Sequence, residues 1–343
     1  MLIRDAYNRF VANLIESNIP EPKLKCSILF CEILKLDKAQ LFSHMDDEIY
    51  EGDFIELSSK VNMLLNNAPI QYVIGHQEFM SLDFLVTSEV LIPRQDTETL
   101  VEAVISTLKE LNIVSPRILE LGVGSGCISV SLANYIPTAK IVSTDLSECA
   151  LSIAHRNASI NKVSDRIEFI QGNMLLQTFY TNDLKDTIDL NGMFDVLVSN
   201  PPYIPTDDIK HLDHNVSHYE PHIALDGGKD GLDFYTAITA FSQYVLKDNG
   251  LIFLEAGFDT ILPAADILKK RFQNVQIIND INGINRVLLG SIKKAPHDIE
   301  SGNYSLVNNF YRNVAQITTS VVIAVKQRVH MWTLCKFYFI KLH

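Results

Sequence analysis

From Arg117 to Leu289 the sequence alternates short apolar runs with longer amphipathic stretches, and that rhythm restricts the chain to very few architectures. Ile118–Leu121, Ile141–Asp145, Ile167–Ile170, Phe194–Ser199 and Gly250–Glu255 read as strands. Helices are expected at Thr97–Asn112, Cys127–Ala133, about Glu148–Asn157, around Asp233–Val245 and near Thr260–Phe272. Strand–helix alternation folds through right-handed crossovers into a mostly parallel, doubly wound α/β sheet. Val275–Ile278 and Arg286–Leu289 follow each other without a long helix, which predicts an antiparallel edge pair.

The fourth strand stops abruptly, because Val196-Leu197-Val198-Ser199 runs into Asn200-Pro201-Pro202-Tyr203. Pro201 drives Asn200 out of the α region and neither proline can donate to a ladder, so the strand ends in a stiff tip. Such carboxyl ends are where open α/β sheets bind ligands. Asn200 offers a carbonyl acceptor and Tyr203 a flat π face, at a separation set by the rigid Pro201-Pro202 unit. Together they make a seat for a planar amide or amino group. The alternative is a proline-terminated turn with no chemistry.

A second motif, Gly122-Val123-Gly124-Ser125-Gly126, lies between the first strand and its helix. Glycines there let the backbone turn sharply and approach a ligand at the positive end of the helix. Asp145 ends the next strand, the usual place for an acid that accepts both ribose hydroxyls. A dinucleotide fingerprint wants GxGxxG with pyrophosphate on the helix. This chain has GxGxG preceded by Glu120, an acid that would repel pyrophosphate and suit the cationic sulfonium and amino group of S-adenosylmethionine (SAM). SAM is therefore favoured over NAD(P), and a purely structural turn remains the third reading. Asn173 and Met174, after the third strand, fall where an adenine ring would lie; Met174 serves equally well as ordinary core.

Residues 1–66 show apolar positions at helical spacing and read as a small helical bundle for substrate recognition or docking. Residues 67–95 read as a hairpin-like connector, with Pro69–Gly75 and Glu78–Val86 as short strands around a glycine turn. Asp96 or Thr97 is expected to cap the following helix. Residues 96–291 form the α/β domain, and 292–343 a basic tail of unknown role. In that tail the apolar run Val314–Val325 is too short for a membrane span, which needs about 20 residues.

Charge and cysteine usage narrow the function classes. Residues 291–343 carry seven Lys/Arg against two Asp/Glu; the rest carries 22 against 39, a net −17. A body that acidic is a poor partner for a phosphate backbone, so nucleic-acid binding is not expected. The five cysteines form no CxxC pair or zinc spacing and read as reduced core thiols of a cytoplasmic protein. Charges at Arg4 and Asp5 argue against an export signal. His211, His214, His218 and His222, unevenly spaced after the tip, read as loop residues with no metal expected.

With these residues in view, the chain resembles the HemK/PrmC-type peptide chain release factor N5-glutamine methyltransferases, from the N-terminal helices to about Gly290. The resemblance rests on Pro69-Ile70-Gln71-Tyr72, Leu91-Ile92-Pro93-Arg94, the Gly122–Gly126 loop, Asn200-Pro201-Pro202-Tyr203, Tyr219-Glu220-Pro221 and the run Ala224–Leu232. It implies a Rossmann-like SAM-dependent methyltransferase domain behind a small N-terminal helical domain. It also implies methyl transfer from SAM to the glutamine side-chain nitrogen in the Gly-Gly-Gln loop of release factors. Carried over by position, Gly122 to Gly126 and Asp145 would hold SAM, with Asn173, Met174 and Asn200 beside it, and Asn200 to Tyr203 would hold the glutamine. Asn173 stands where the family usually has Asp, Met174 where some members have an aromatic residue, Gln95 where a second proline is usual, and the tail lies outside the pattern.

The expected chemistry follows from the amide. Its nitrogen lone pair is delocalised, so the site must orient the group rather than simply deprotonate it. Asn200 Oδ1 and the Pro201 carbonyl would accept the two N–H bonds and aim the nitrogen at the methyl group, with Tyr203 stacked on the amide plane. Two rivals stay open: a DNA or RNA adenine or cytosine amino-methyltransferase, and a non-catalytic SAM-binding docking protein. A monomer is expected.

Overall fold

The computed structural model describes residues 1–174 and 193–292. The expectations for the tail, with Cys335, lie outside them.

The N-terminal unit is helical, as its periodicity requires: α1 (Ile3–Glu16), α2 (Pro22–Leu34), α3 (Lys38–Ser43), α4 (Glu51–Leu65) and α5 (Ile70–Ile74). Its core joins Ala6, Phe10 and Leu14 of α1 to Leu29 and Phe30 of α2 and to Leu57, Val61 and Leu64 of α4. Burying each large side chain of this kind stabilises the fold by roughly 1.5–3 kcal/mol. Pro22 stands in the first turn of α2, where its missing N–H costs nothing. A reciprocal Asp37–Gln40 capping box opens α3.

Two local expectations are corrected here. Pro69–Gly75 does not extend as a strand: Ile70–Ile74 is a helical turn, ended by Gly75 at φ 89°. Val73 is buried in the N-terminal core with Ile70 and Ile74 packed against it, a 3–4 spacing that overrides the β-propensity of these residues. The hairpin that follows, β1 (His76–Phe79) with β2 (Leu82–Leu85), turns at Met80 and Ser81 rather than at a glycine. Both have positive φ, 50° and 56°, as a two-residue turn matched to strand twist demands.

The α/β unit matches the alternation of its sequence. After α6 (Gln95–Glu110) come β3 (Arg117–Leu121), α7 (Cys127–Tyr135), β4 (Lys140–Asp145), α8 (Glu148–Ile160), β5 (Ile167–Gln171) and β6 (Phe194–Ser199). The short α9 (His214–Tyr219), α10 (Asp233–Val245), β7 (Leu246–Glu255), α11 (Ile261–Lys269), β8 (Phe272–Asn279) and β9 (Asn285–Ile292) complete it. The seven-stranded sheet has the order β5-β4-β3-β6-β7-β9-β8. β9 pairs antiparallel with both β7 and β8, and the other described pairings are parallel. Along β6, Val196 and Val198 enter the core under α6 and α7, while Phe194 and Leu197 enter the core under α10 and α11. A strand buried on both faces reads as a continuous apolar run, which is why β6 was legible.

The cap of α6 differs from expectation. Arg94 holds the N-cap position without its side chain capping the helix, and Asp96 and Thr97 lie inside the first turn. Both turn elsewhere: Asp96 pairs with Arg286 at 2.9 Å, and Thr97 meets Asn200. The chain runs from β3 outward to β4 and β5, then returns to place β6 on the other side of β3. That reversal opens a crevice beyond the carboxyl ends of β3 and β6, with Leu121 and Ser199 as register partners.

Candidate active site

The crevice is formed first by the glycine loop leaving β3. Gly122, Gly124 and Gly126 have φ of 76°, 52° and 81°, the left-handed region that side chains avoid. A Cβ at Gly126 would sit 3.1 Å from the Ala154 methyl of α8, so that glycine serves close packing. A Cβ at Gly124 would meet nothing within 4 Å, so the loop is open there toward a ligand. Gly122 and Val123 donate their N–H groups to the Thr144 carbonyl of β4. Val123 and Ser125 are both 3% exposed, so of the predicted cofactor residues these two present backbone rather than side chain.

Asp145 stands at the lip of this loop. Its Oδ2 accepts from Gly124 N–H and its Oδ1 from Ser147 N–H, each at 2.9 Å. Burial pushes its pKa up, and the N–H groups of Gly124, Ser147 and Leu146 pull it back down. Each oxygen keeps a lone pair for a ribose hydroxyl. Met174 lies over the same loop, its Cε 3.1 Å from where a Gly122 Cβ would be, and packs against the sheet core. Asn173 is two residues beyond the end of β5 on the same side. An open glycine cradle beside a carboxylate with free acceptor capacity fits SAM.

Glu120 behaves differently from the sequence argument that favoured SAM. Its carboxyl is fully buried beneath the loop, with Ser143 Oγ donating to Oε2 at 2.9 Å. Burial pushes its pKa to about 8, against the opposing pull of the Ser129 and Ser143 hydroxyls. It is therefore mostly protonated near pH 7 and supplies little charge to repel pyrophosphate.

The tip after β6 makes the other wall. Asn200 Nδ2 donates to Thr97 Oγ1 at 3.2 Å, and among the described residues Asn200 Oδ1 accepts no hydrogen bond. Pro201 and Pro202 are buried, and Tyr203 is partly exposed. Tyr203 is enclosed by three glycines. A Cβ at Gly227 would come within 2.8 Å of Tyr203 Cα and Pro202 O, one at Gly257 within 2.9 Å of the Tyr203 ring, and one at Gly231 would strike the Tyr203 carbonyl. Backbone bonds between Ile204 and both Leu225 and Gly227 lace this cradle to the tip.

Several supporting contacts were not foreseen from the sequence, although Arg94, Tyr219 and Glu220 stand in motifs it singled out. Arg94 reaches the buried Glu220 at 2.5 Å, and Tyr219 Oη donates to the Asn66 carbonyl at the end of α4. Asn157 stitches the hairpin to the glycine loop through Leu85 and Ser125. Glu255, ending β7, is 1% exposed, and burial pushes its pKa to about 7. The predicted histidines are not all loop residues: His214 and His218 stack on α9, with ring centroids 5.0 Å apart. Among the described residues no three His, Cys, Asp or Glu side chains group closely enough to hold a metal. The description of the cysteines as core thiols needs amendment, since Cys26 is buried but Cys149 is exposed on α8. No described helix is long and apolar enough to cross a membrane.

Fold and crevice define a methyltransferase: a doubly wound sheet with a glycine cradle and acid after its first two parallel strands and an Asn-Pro-Pro-Tyr tip at the switch point. Residues 5–75 match the family model of the PrmC N-terminal domain, and residues 95–216 that of the methyltransferase small domain. The release factor glutamine methyltransferase of Moorella thermoacetica is 36% identical over 84% of this chain and 98% of its own length. That of Clostridium acetobutylicum is 37% identical over the same shares. The chain belongs to the release factor glutamine methyltransferase family. Among solved structures, a release-factor-specific protein-(glutamine-N5) methyltransferase from Alicyclobacillus acidocaldarius is 28% identical, with a TM-score of 0.36 over 61% of this chain and 99% of that one.

Proposed function

We propose that this chain transfers the methyl group of SAM to the side-chain amide nitrogen of a release factor glutamine, the one in its Gly-Gly-Gln loop, and that it does so in the cytoplasm as a monomer. The observation that carries the reading is the orientation of Asn200, whose Nδ2 is engaged by Thr97 while Oδ1 accepts nothing among the described residues. An amide NH₂ needs acceptors, and Asn200 Oδ1 together with the Pro201 carbonyl supplies two at the end of β6. When bound, SAM supplies an electrophilic methyl group on a sulfonium. Gly122 to Gly126, with Asp145, would hold it one strand away, and Asn173 and Met174 would flank its adenine.

Asn200 and Pro201 then orient the glutamine nitrogen and interact more strongly as positive charge develops on it, which favours the transition state over the ground state. The nitrogen loses its surplus proton late, to solvent or a backbone acceptor, as the methyl exchanges its bond to sulfur for one to nitrogen. Tyr203, seated in its glycine cradle, offers its ring to the amide plane. The test is incubation with methyl-labelled SAM and either a release factor or nucleic acid, followed by peptide mapping. Label on the release factor glutamine supports the reading. Label confined to nucleic acid would instead indicate a base amino-methyltransferase, and none a docking protein.

A further inference from the structure

Asn200 is held from behind by a small polar group that no part of the proposed methyl transfer uses. Its Nδ2 donates to Thr97 Oγ1 at 3.2 Å, joining the tip to the first turn of α6 across 103 residues. Behind Thr97 lies Glu255, the last residue of β7, and the Thr97 and Asn200 side chains beside its carboxyl favour its charged form. The strand register brings them together: Ser199 pairs with Leu254, so the next residue of each parallel strand is Asn200 and Glu255. Glu255 Oε2 is buried with no hydrogen-bond partner among the described residues. An unsatisfied buried acceptor costs stability, so a carboxyl kept there calls for a reason other than folding.

The chemistry of these groups gives one. An ionised carboxylate only accepts, whereas a hydroxyl both donates and accepts. With Glu255 charged, the Thr97 hydroxyl donates to it and is left to accept from Asn200. The Asn200 amide is thereby locked with Nδ2 inward and Oδ1 outward. With Glu255 protonated, the acid can donate, the Thr97 hydroxyl can reverse, and the amide is free to flip and present a donor where an acceptor is needed. We propose that Glu255, acting on Asn200 both directly and through Thr97, is a positioning residue that sets the hydrogen-bond polarity of Asn200. This rests on the reading of Asn200 as the acceptor for the substrate amide.

The groups facing Glu255 are Asp96 of α6, Arg286 of β9, Cys127 of α7, Tyr203 of the tip and Tyr235 of α10, whose hydroxyl donates to the Glu255 backbone carbonyl. Arg286 favours the charged carboxylate and Asp96 opposes it. Arg286 is itself anchored by Asp96 and Asp280, so these charges partly offset one another around the carboxyl.

The test is steady-state kinetics at saturating SAM on Thr97→Val, Thr97→Ser and Glu255→Gln, with SAM affinity measured separately. Thr97→Val is expected to lower kcat on the order of a hundredfold with KM for the release factor and SAM affinity within about twofold. Thr97→Ser, which keeps the hydroxyl, should restore turnover to within about threefold of the unsubstituted enzyme. Its kcat should fall as pH drops through about 7, and Glu255→Gln should abolish that limb. Full turnover in Thr97→Val, equal losses in the Val and Ser variants, or an acid limb that persists in Glu255→Gln would each overturn the proposal. If Thr97→Val does not fold, the Ser variant and the two pH profiles still decide. Failure of the substrate reading looks different, because the unsubstituted enzyme would then leave the release factor unlabelled.

Discussion

The backbone N–H of Gly124 donates to Asp145 Oδ2 at 2.9 Å, so the carboxylate proposed to grip the ribose also holds the loop that forms the rest of the proposed cofactor cradle. Binding and shaping are therefore inseparable at this residue. Asp145→Ala removes the proposed acceptor for ribose and leaves the half-buried Gly124 and Ser147 N–H groups without their partner, at less than the roughly 1–3 kcal/mol that a fully buried unpaired group costs. SAM affinity is expected to fall at least about tenfold, read by titration calorimetry. Unchanged affinity would remove Asp145 from the cofactor site.

Asn200→Ala separates the two walls of the crevice. The glycine loop belongs to β3 and β4, so SAM affinity should stay within about twofold. Losing the acceptor aimed at the developing charge should lower kcat by about 100–1,000-fold. Wild-type turnover in this variant would exclude the proposed amide seat.

Gly227→Ala tests the cradle around Tyr203. Gly227 is not in the left-handed region, so its added methyl acts through sterics alone, against Pro202 O and Tyr203 Cα at 2.8 Å. Both contacts are backbone and have little room to yield, so the tip should shift at a cost of about 1–3 kcal/mol. Turnover should drop with SAM binding retained. Ala at 227 with full activity and an unchanged melting temperature would mean the cradle is dispensable.

Glu120 predicts a pH dependence of stability. Its carboxyl titrates near 8 in the folded chain, against an ordinary value of 4.5. The folded state thus holds a proton that the unfolded state releases, and stability falls as pH rises from about 4.5 to about 8. Glu120→Gln keeps a neutral, hydrogen-bonding side chain and should flatten this slope, so the variant should be the more stable one at pH 9. Denaturant unfolding at pH 6 and pH 9 measures both slopes; equal slopes would show that Glu120 is not buried in its acid form.

The features legible in the sequence are those fixed by periodicity or backbone need. β6 announced itself because both its faces are buried, and the glycine loop because left-handed turns and a helix packed as close as Ala154 call for glycine. What stayed hidden depends on contacts between distant segments. Ile70–Ile74 is β-branched enough to look like a strand until the N-terminal core claims Val73. Thr97 looks like a helix cap and Glu255 like an ordinary strand end until the sheet order sets both beside Asn200. The run from Ala224 to Leu232 is recognisable as a motif, yet nothing within it says that its glycines close over Tyr203.

The pairing of Leu121 with Ser199 has a consequence for how such an enzyme changes. The two walls of the crevice leave adjacent parallel strands at the same level, so their separation is one interstrand spacing, about 4.8 Å. Backbone hydrogen bonds act here as a ruler, which no exchange of side chains can lengthen. Slipping one strand by a single residue would displace a wall by about 3.3 Å, nearly the whole gap between reacting atoms in a productive complex. Substrate preference is free to drift in the segments that surround the tip, while the reach of the transfer stays written into the ladder between β3 and β6.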